Sequence, residues 1–260
     1  MAKAAWKKFP HADKAFVYAG AALKKTWERL HRGDCEPFPA DAAVQEAWRL
    51  YHQGEFHRAC EAGLAAGLDG YNAANKAAMI YATYLEDDDR RKLELFQEIS
   101  ARCEELQQAQ PKNANAWYFQ AYALGRYSQG ISVLSALTQG LGGRIKAALE
   151  TALELEPKHA EAHSASGAYH AEVVDKVGAM VARLTYGASK DVAVKHFAAA
   201  QKLAPDSAIA CIEHANALVM LFGRSRMDEA VKLYEKAAAA VPADAMEWLD
   251  VELAKSELED

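Results

Sequence analysis

Across residues 12–32 the positions Phe16, Gly20, Leu23, Trp27 and Leu30 recur at steps of three and four, which draws one stripe down a helix. Arg29, His31 and Arg32 fall in its last turn, where cations suit the negative end of the dipole, and Gly33 follows as a stop. Residues 1–11 show no such period and read as a frayed arm; 1–33 is thus a basic N-terminal arm and helix. The stretch GDCEPFPAD (33–41) reads as a linker, because Pro37 and Pro39 block helix on both sides. Asp41 then caps a helix carrying Ala43, Ala47, Trp48 and Leu50, Gly54-Glu55-Phe56 turns the chain, and 58–66 return as a second helix. A further pair runs 73–85 and then from the acidic turn Glu86–Asp89 to Gln110, ahead of Pro111. Those acids stand at the positive start of a helix, so they read as caps and not as a metal site. The block 41–113 is expected to hold degenerate helical pairs.

Beyond it the pattern repeats. ALELEP (152–157), AQKLAP (200–205) and AAAAVP (237–242) end alike, with spacings of 46 from Pro111 to Pro157, 48 to Pro205 and 37 to Pro242. Small residues recur where two helices of a pair touch: Ala121, Gly167 and Ala215 in the first helix, with Ala47 in the earlier, weaker copy. Leu124, His170 and Leu218 follow three positions later, where a bulky side chain fits. In the second helix Leu149, Phe197 and Tyr234 precede the small residues Ala152, Ala200 and Ala237. MDEAVKLYEKAAAAVPAD and WYFQAYAL complete a pattern that resembles the tetratricopeptide repeat, whose unit is about 34 residues. The fold implied is all-α, a right-handed superhelical stack of helix hairpins. Three such repeats occupy 114–243, and an acidic capping helix closes the stack at 244–260.

Two repeats are too long. From Leu124 to Ile145 there are 21 positions and from His170 to Ala193 there are 23, where the ordinary unit has about nine. The inserts, 125–144 and 171–190, are apolar at helical spacing: Ile131, Leu134 and Leu137 in the first, and Val173, Val177, Met180, Val181 and Leu184 on one face in the second. Each is expected to lengthen its hairpin by a turn or a short amphipathic helix, and the two should lie side by side. Together with GAYHAEVV and ARLTYGASKDVAVKHF, this arrangement resembles the T component that accompanies some bacterial TRAP transporters, and more distantly the eukaryotic regulators of microtubule dynamics. The first resemblance implies a bacterial chain that handles an apolar ligand. T components are periplasmic lipoproteins, however, and this chain departs from them in showing neither an export signal nor an anchor cysteine near its start.

Composition narrows the function. The apolar share is 51%, with 15 Gly and 7 Pro, enough for a helical core. Net charge is −6, but residues 1–33 carry eight Lys or Arg against Asp13 and Glu28, a surplus of six, so the remainder is at −12. A basic first helix on an acidic body is expected to dock onto it. Basic and aromatic residues do not interleave as a nucleic-acid binder needs. Cys35, Cys60, Cys103 and Cys211 lie far apart, which suits reduced thiols, and no stretch is long and apolar enough for a span; a cytoplasmic protein is expected.

Candidate chemistry is sparse. His159, His163, His170 and Glu172 could in principle serve a metal or act as a general base, but His159 falls in a turn and His170 in a packing slot. Gly140-Leu141-Gly142-Gly143-Arg144 opens a helix and offers either an anion site or a flexible turn. No catalytic set, metal or cofactor is expected. The reading is a non-enzymatic binding scaffold that takes a protein or peptide partner through its groove. The alternative is a carrier of a small apolar ligand beside the inserts, with Tyr127, Leu134, Tyr169, Met180, Arg183 and Tyr186 as lining. The repeat register makes its own prediction: Gly167→Leu should overpack the closest helix contact and cost about 1–3 kcal/mol or more, read as a fall in melting temperature.

Overall fold

The computed structural model describes residues 5–11 and 14–259, and every regular element in them is helical. A 3-10 turn at Lys14–Phe16 leads to α1 (Ala21–Leu30). Hairpins follow: α2 (Ala42–His52) with α3 (Phe56–Ala65), and α4 (Tyr71–Tyr84) with α5 (Asp89–Ala109). Next come α6 (Ala114–Gln129), the short α7 (Val133–Thr138) and α8 (Leu141–Leu155). Helix α9 (Ala160–Val177) is followed by one turn, α10 (Ala179–Val181), a π-helical turn Ala182–Tyr186, and α11 (Lys190–Leu203). Helices α12 (Ala208–Phe222), α13 (Met227–Ala238) and α14 (Ala245–Glu259) complete the chain. Each hairpin packs on the next in a right-handed superhelical stack, the pairs being α2/α3, α4/α5, α6/α8, α9/α11 and α12/α13.

One local rule sets the rhythm. Pro111, Pro157, Pro205 and Pro242 each end a helical pair, and the residue two further on caps the next helix. Asn113 Oδ1, Ser207 Oγ and Asp244 Oδ1 accept from the amides of Ala116, Ala210 and Glu247. His159 does the same with its imidazole, Nδ1 accepting from Ala162 N at 3.0 Å. Each cap satisfies an otherwise orphaned donor. The small-residue register holds as well: Ala121, Ala152, Ala200, Ala215 and Ala237 are buried, and a Cβ on Gly167 would meet the Phe197 ring at 2.7 Å.

Four expectations are corrected. The first long helix does not run from residue 12; it starts at Ala21, after Gly20 turns the chain at φ +55°, and Ala12 and Asp13 lie outside the described residues. The arm is not frayed where it is described: Trp6 stacks on Tyr81 with centroids 4.1 Å apart, Lys7 pairs with Asp87, and Phe9 packs edge-on to Trp248. Gly54 makes room for it, since a Cβ there would come within 2.4 Å of the Phe9 ring. The stretch 33–41 is no passive linker, because Asp34 is 1% exposed. In the second insert Gly178 breaks the helix at φ +79°, so Val173 and Val177 stay on α9 while Met180, Val181 and Leu184 project outward on a separate turn.

Helix α14 also differs from an outward polar cap. Two of its acidic residues face the N-terminal half, while Glu257 and Glu259 stay exposed: Glu247 accepts from both terminal nitrogens of Arg29 at 2.5 and 2.9 Å, and Asp250 accepts from the Tyr84 hydroxyl at 2.5 Å. Just ahead of the helix, Asp244 meets His52 at 2.7 Å, and Tyr18 donates to the Ala243 carbonyl. The last helix therefore packs against the first ones, and the stack closes on itself. A Tyr84→Phe, Asp250→Ala double-mutant cycle should return a coupling of about 0.5–3 kcal/mol in chemical denaturation; elements out of contact would give additivity within about 0.5 kcal/mol.

Candidate functional site

The leading helices of the hairpins, α4, α6, α9 and α12, turn their inner faces toward a common axis, and α14 closes the far side. Between them lies a cavity of about 340 Å³. Its walls are apolar: Met79 and Ile80 from α4, Ile145 and Leu149 from α8, Val173 and Val177 from α9. Both inserts reach it. Val133 and Leu137 of α7 line it while remaining half exposed, so α7 stands at the rim. Tyr186 comes from the second insert, and its ring lies 3.1 Å from where a Cβ on Gly142 would sit, which brings the two inserts together.

Charge enters at the floor. Lys76, 2% exposed, places Nζ 2.5 Å from Asp34 Oδ2 and 2.9 Å from Glu161 Oε1. Burial alone would lower the Lys76 pKa, but the two carboxylates outweigh it and hold the ammonium above its usual value. Burial would likewise raise Asp34, yet Lys76 and His31 hold it well below the usual carboxylate range. For Glu161 burial wins over Lys76 and the pKa is raised. The network continues outward from Asp34 to His31 Nδ1 at 2.9 Å, on to His52 through the facing Nε2 atoms at 3.2 Å, and so to Asp244. Burial lowers His31 to about 4, so its ring is neutral. Higher on the wall Arg126 reaches Glu213 at 3.1 Å and lies over the Tyr122 ring.

Of the six residues expected to line a site, Tyr169 and Tyr186 border this cavity. Tyr127 borders a smaller one of about 160 Å³ with Leu124 and Arg144. Arg183 is exposed, and Leu134 and Met180 project into solvent at 72% and 75% exposure. Glu172, weighed in the sequence only beside the histidines, also borders the cavity, and so do polar groups the sequence did not single out: Lys76, Tyr84, Tyr118, Arg126 and Glu161. One signal was available for Lys76, a single cation amid the otherwise uncharged run NAANKAAMIYATY of α4. Glu161 carried none, because an acid in the first turn of a helix is ordinary capping chemistry.

The histidines serve other ends. His159 caps α9, and its other nitrogen meets Asn115 Oδ1 at 2.9 Å. Burial lowers it to about 3, which keeps Nδ1 free of a proton and able to accept. His163 and His170 face α11, where His163 Nδ1 lies 3.0 Å from His196 Nδ1 and His170 stacks on the same ring. Glu172 points away from them, to Gln129 and Lys176. Among the described residues no group of three or more His, Cys, Asp or Glu is placed to hold a metal ion. Of the glycine run only Gly140 lies in a turn, left-handed at φ +63°; Leu141 to Arg144 already form the first turn of α8, and Arg144 pairs with Glu104 at 2.7 Å. No helix among the described residues is long and apolar enough to cross a membrane.

The sequence profile of the family "Regulator of microtubule dynamics protein 1-3" matches residues 44–259. No curated protein sequence matches the chain. The crystal structure of a thermophilic tetratricopeptide-repeat protein from Thermus thermophilus aligns at a TM-score of 0.58, over 82% of this chain and 97% of that one, with 16% identity. That likeness is one of fold.

Behind the floor, Glu36 accepts from Asn72 and Asn115 at 2.8 and 2.6 Å. Burial, and then the charge of Asp34, push its carboxyl up to about 8 against the pull of both amides and Lys76. A raised folded-state pKa means the native protein holds this proton more tightly than the unfolded chain does. The stabilisation is then complete below the unfolded value and lost as pH rises through about 8. Denaturation midpoints should fall between pH 6 and pH 9 for the native protein, and Glu36→Gln, which keeps an acceptor for both amides, should flatten that slope.

Proposed function

The chain belongs to the family of regulator of microtubule dynamics proteins 1–3, and from that premise we propose that it is a non-enzymatic binding protein whose inner groove, closed into a chamber, holds a small apolar guest. The observation that carries this reading is the cavity itself, about 340 Å³ within apolar walls and bounded by both inserts. That volume lies in the range of small-molecule sites. The charged groups around it are engaged with neighbours, Lys76 with Asp34 and Glu161, Arg126 with Glu213 and Asp250 with the Tyr84 hydroxyl, which supports binding over catalysis. The resemblance of the inserts to the T component supports the same use.

A second reading, a scaffold for a protein partner, is favoured by the tetratricopeptide-like fold and by the microtubule role in the family's name. An extended peptide in the groove would have to pass the Tyr84–Asp250 and Tyr51–Met246 contacts, so on this reading the partner meets an outer face. Native mass spectrometry of protein purified without detergent separates the two. A guest predicts a mass excess that organic extraction removes, and that Ala168→Trp, which fills the cavity from α9, abolishes without loss of helical circular dichroism. A clean apo mass accompanied by a co-purifying protein would favour the scaffold.

A further inference from the structure

The chamber of about 340 Å³ has a smaller neighbour of about 160 Å³, and among the described residues Leu141 alone borders both. On the chamber side it continues the row of Ile145 and Leu149: the three are four positions apart, so they form one apolar stripe along α8. On the other side it meets a pocket walled by Phe96 and Ala101 of α5 and Leu124 of α6. Leu141 is 1% exposed, so its side chain fills the gap between the two spaces. The backbone around it supplies nothing else to fill that gap. Of Gly140, Leu141, Gly142 and Gly143 it is the only residue with a side chain, and a Cβ on Gly140 or Gly143 would meet no neighbouring atom within 4 Å. Glycine is a poor helix former, yet two of these glycines stand in the first turn of α8. The outcome is a partition one side chain thick.

We propose that Leu141 sets the length of the guest: an unbranched apolar chain lies along the α8 stripe, ends against this side chain, and is denied the pocket behind it. The proposal rests on the guest reading and adds a specificity-determining residue to it. The stripe from Leu149 to Leu141 spans eight residues of helix, about 12 Å. A chain of that reach buries each of its methylenes against Leu149, Ile145 and Leu141 in turn, and each one buried tightens binding by about fourfold. A longer chain gains nothing further, because the next space is occupied by the leucine itself. Removing that side chain would add the neighbouring 160 Å³ to the chamber.

The test is calorimetric titration of the purified protein with the straight-chain primary alcohols from hexanol to tetradecanol. Native protein is expected to bind each longer alcohol about fourfold tighter until the gain stops at one chain length. Leu141→Ala should move that break, so that the alcohol two carbons beyond it binds the variant about tenfold tighter than it binds native protein. Truncating a buried leucine also costs stability, so a second substitution tests the partition with Leu141 in place. Ala101→Trp, at an exposed position of α5, fills the side pocket from behind. Alone it should leave the native break unmoved, and combined with Leu141→Ala it should restore that break. A break that stays put in folded Leu141→Ala, or that Ala101→Trp alone shortens, would overturn the role of Leu141 while the guest reading stands. Native protein that binds none of the alcohols would overturn both.

Discussion

A single ammonium group organises this molecule. Lys76 is buried between Asp34, from the segment that joins the N-terminal helix to the first repeat, and Glu161, from the start of α9. Taking a charge out of water is costly, and the cost is recovered only while every partner stays in place, so the three elements must arrive together. The surrounding backbone is shaped to allow it. Gly33 donates nothing but space and a carbonyl: a Cβ there would lie 2.8 Å from Glu161 Oε1, and its oxygen accepts from Glu161 N at 2.9 Å. Removing Lys76 alone would strand two carboxylates in the interior, which is why such a cluster acts as a clamp on geometry more than as a source of stability.

The clamp has a consequence for shape. In an open solenoid each repeat touches only its neighbours and the groove runs the whole length. Here the network passes from Asp34 through His31 and His52 to Asp244, and Arg29 grips Glu247, so the beginning and end of the chain are joined. The inner groove becomes a chamber with the charged cluster at its floor and the inserts at its rim. The closing of α14 against the first helices adds Met246 and Asp250 to walls and a floor that α4, α8, α9 and the Asp34 segment already supply.

What the sequence revealed divides along the same line. Local rules were legible: the alanines and Gly167 at helix contacts, the prolines that end each pair, the acidic turn whose Asp88 caps α5. Each of these is decided by residues within a few positions of one another. The clamp was not legible, because Asp34, Lys76 and Glu161 are far apart in the chain and leave no period. The Pro-rich surroundings of Asp34 and Glu36 argued for an exposed connection while the side chains were being buried. The family was legible only as the more distant of two resemblances. In the site, Tyr169 and Tyr186 were within reach because they flank the inserts, whereas Leu134 and Met180 share the helical spacing of core residues and stand in solvent.

That last misplacement is informative about the inserts. Spacing alone reports that a residue is apolar and on a helix; it does not report on which side the protein lies. An insert whose whole task was to wall a chamber would be apolar inward and polar outward, as surface helices of globular proteins are. Val133, Leu137, Val177 and Tyr186 meet the inward requirement, but Leu134, Met180 and Leu184 do not meet the outward one. The extra turns are apolar on both sides and nearly free of charge between. Chamber walls explain the inward half of that composition, and spacing alone could not have told the two halves apart.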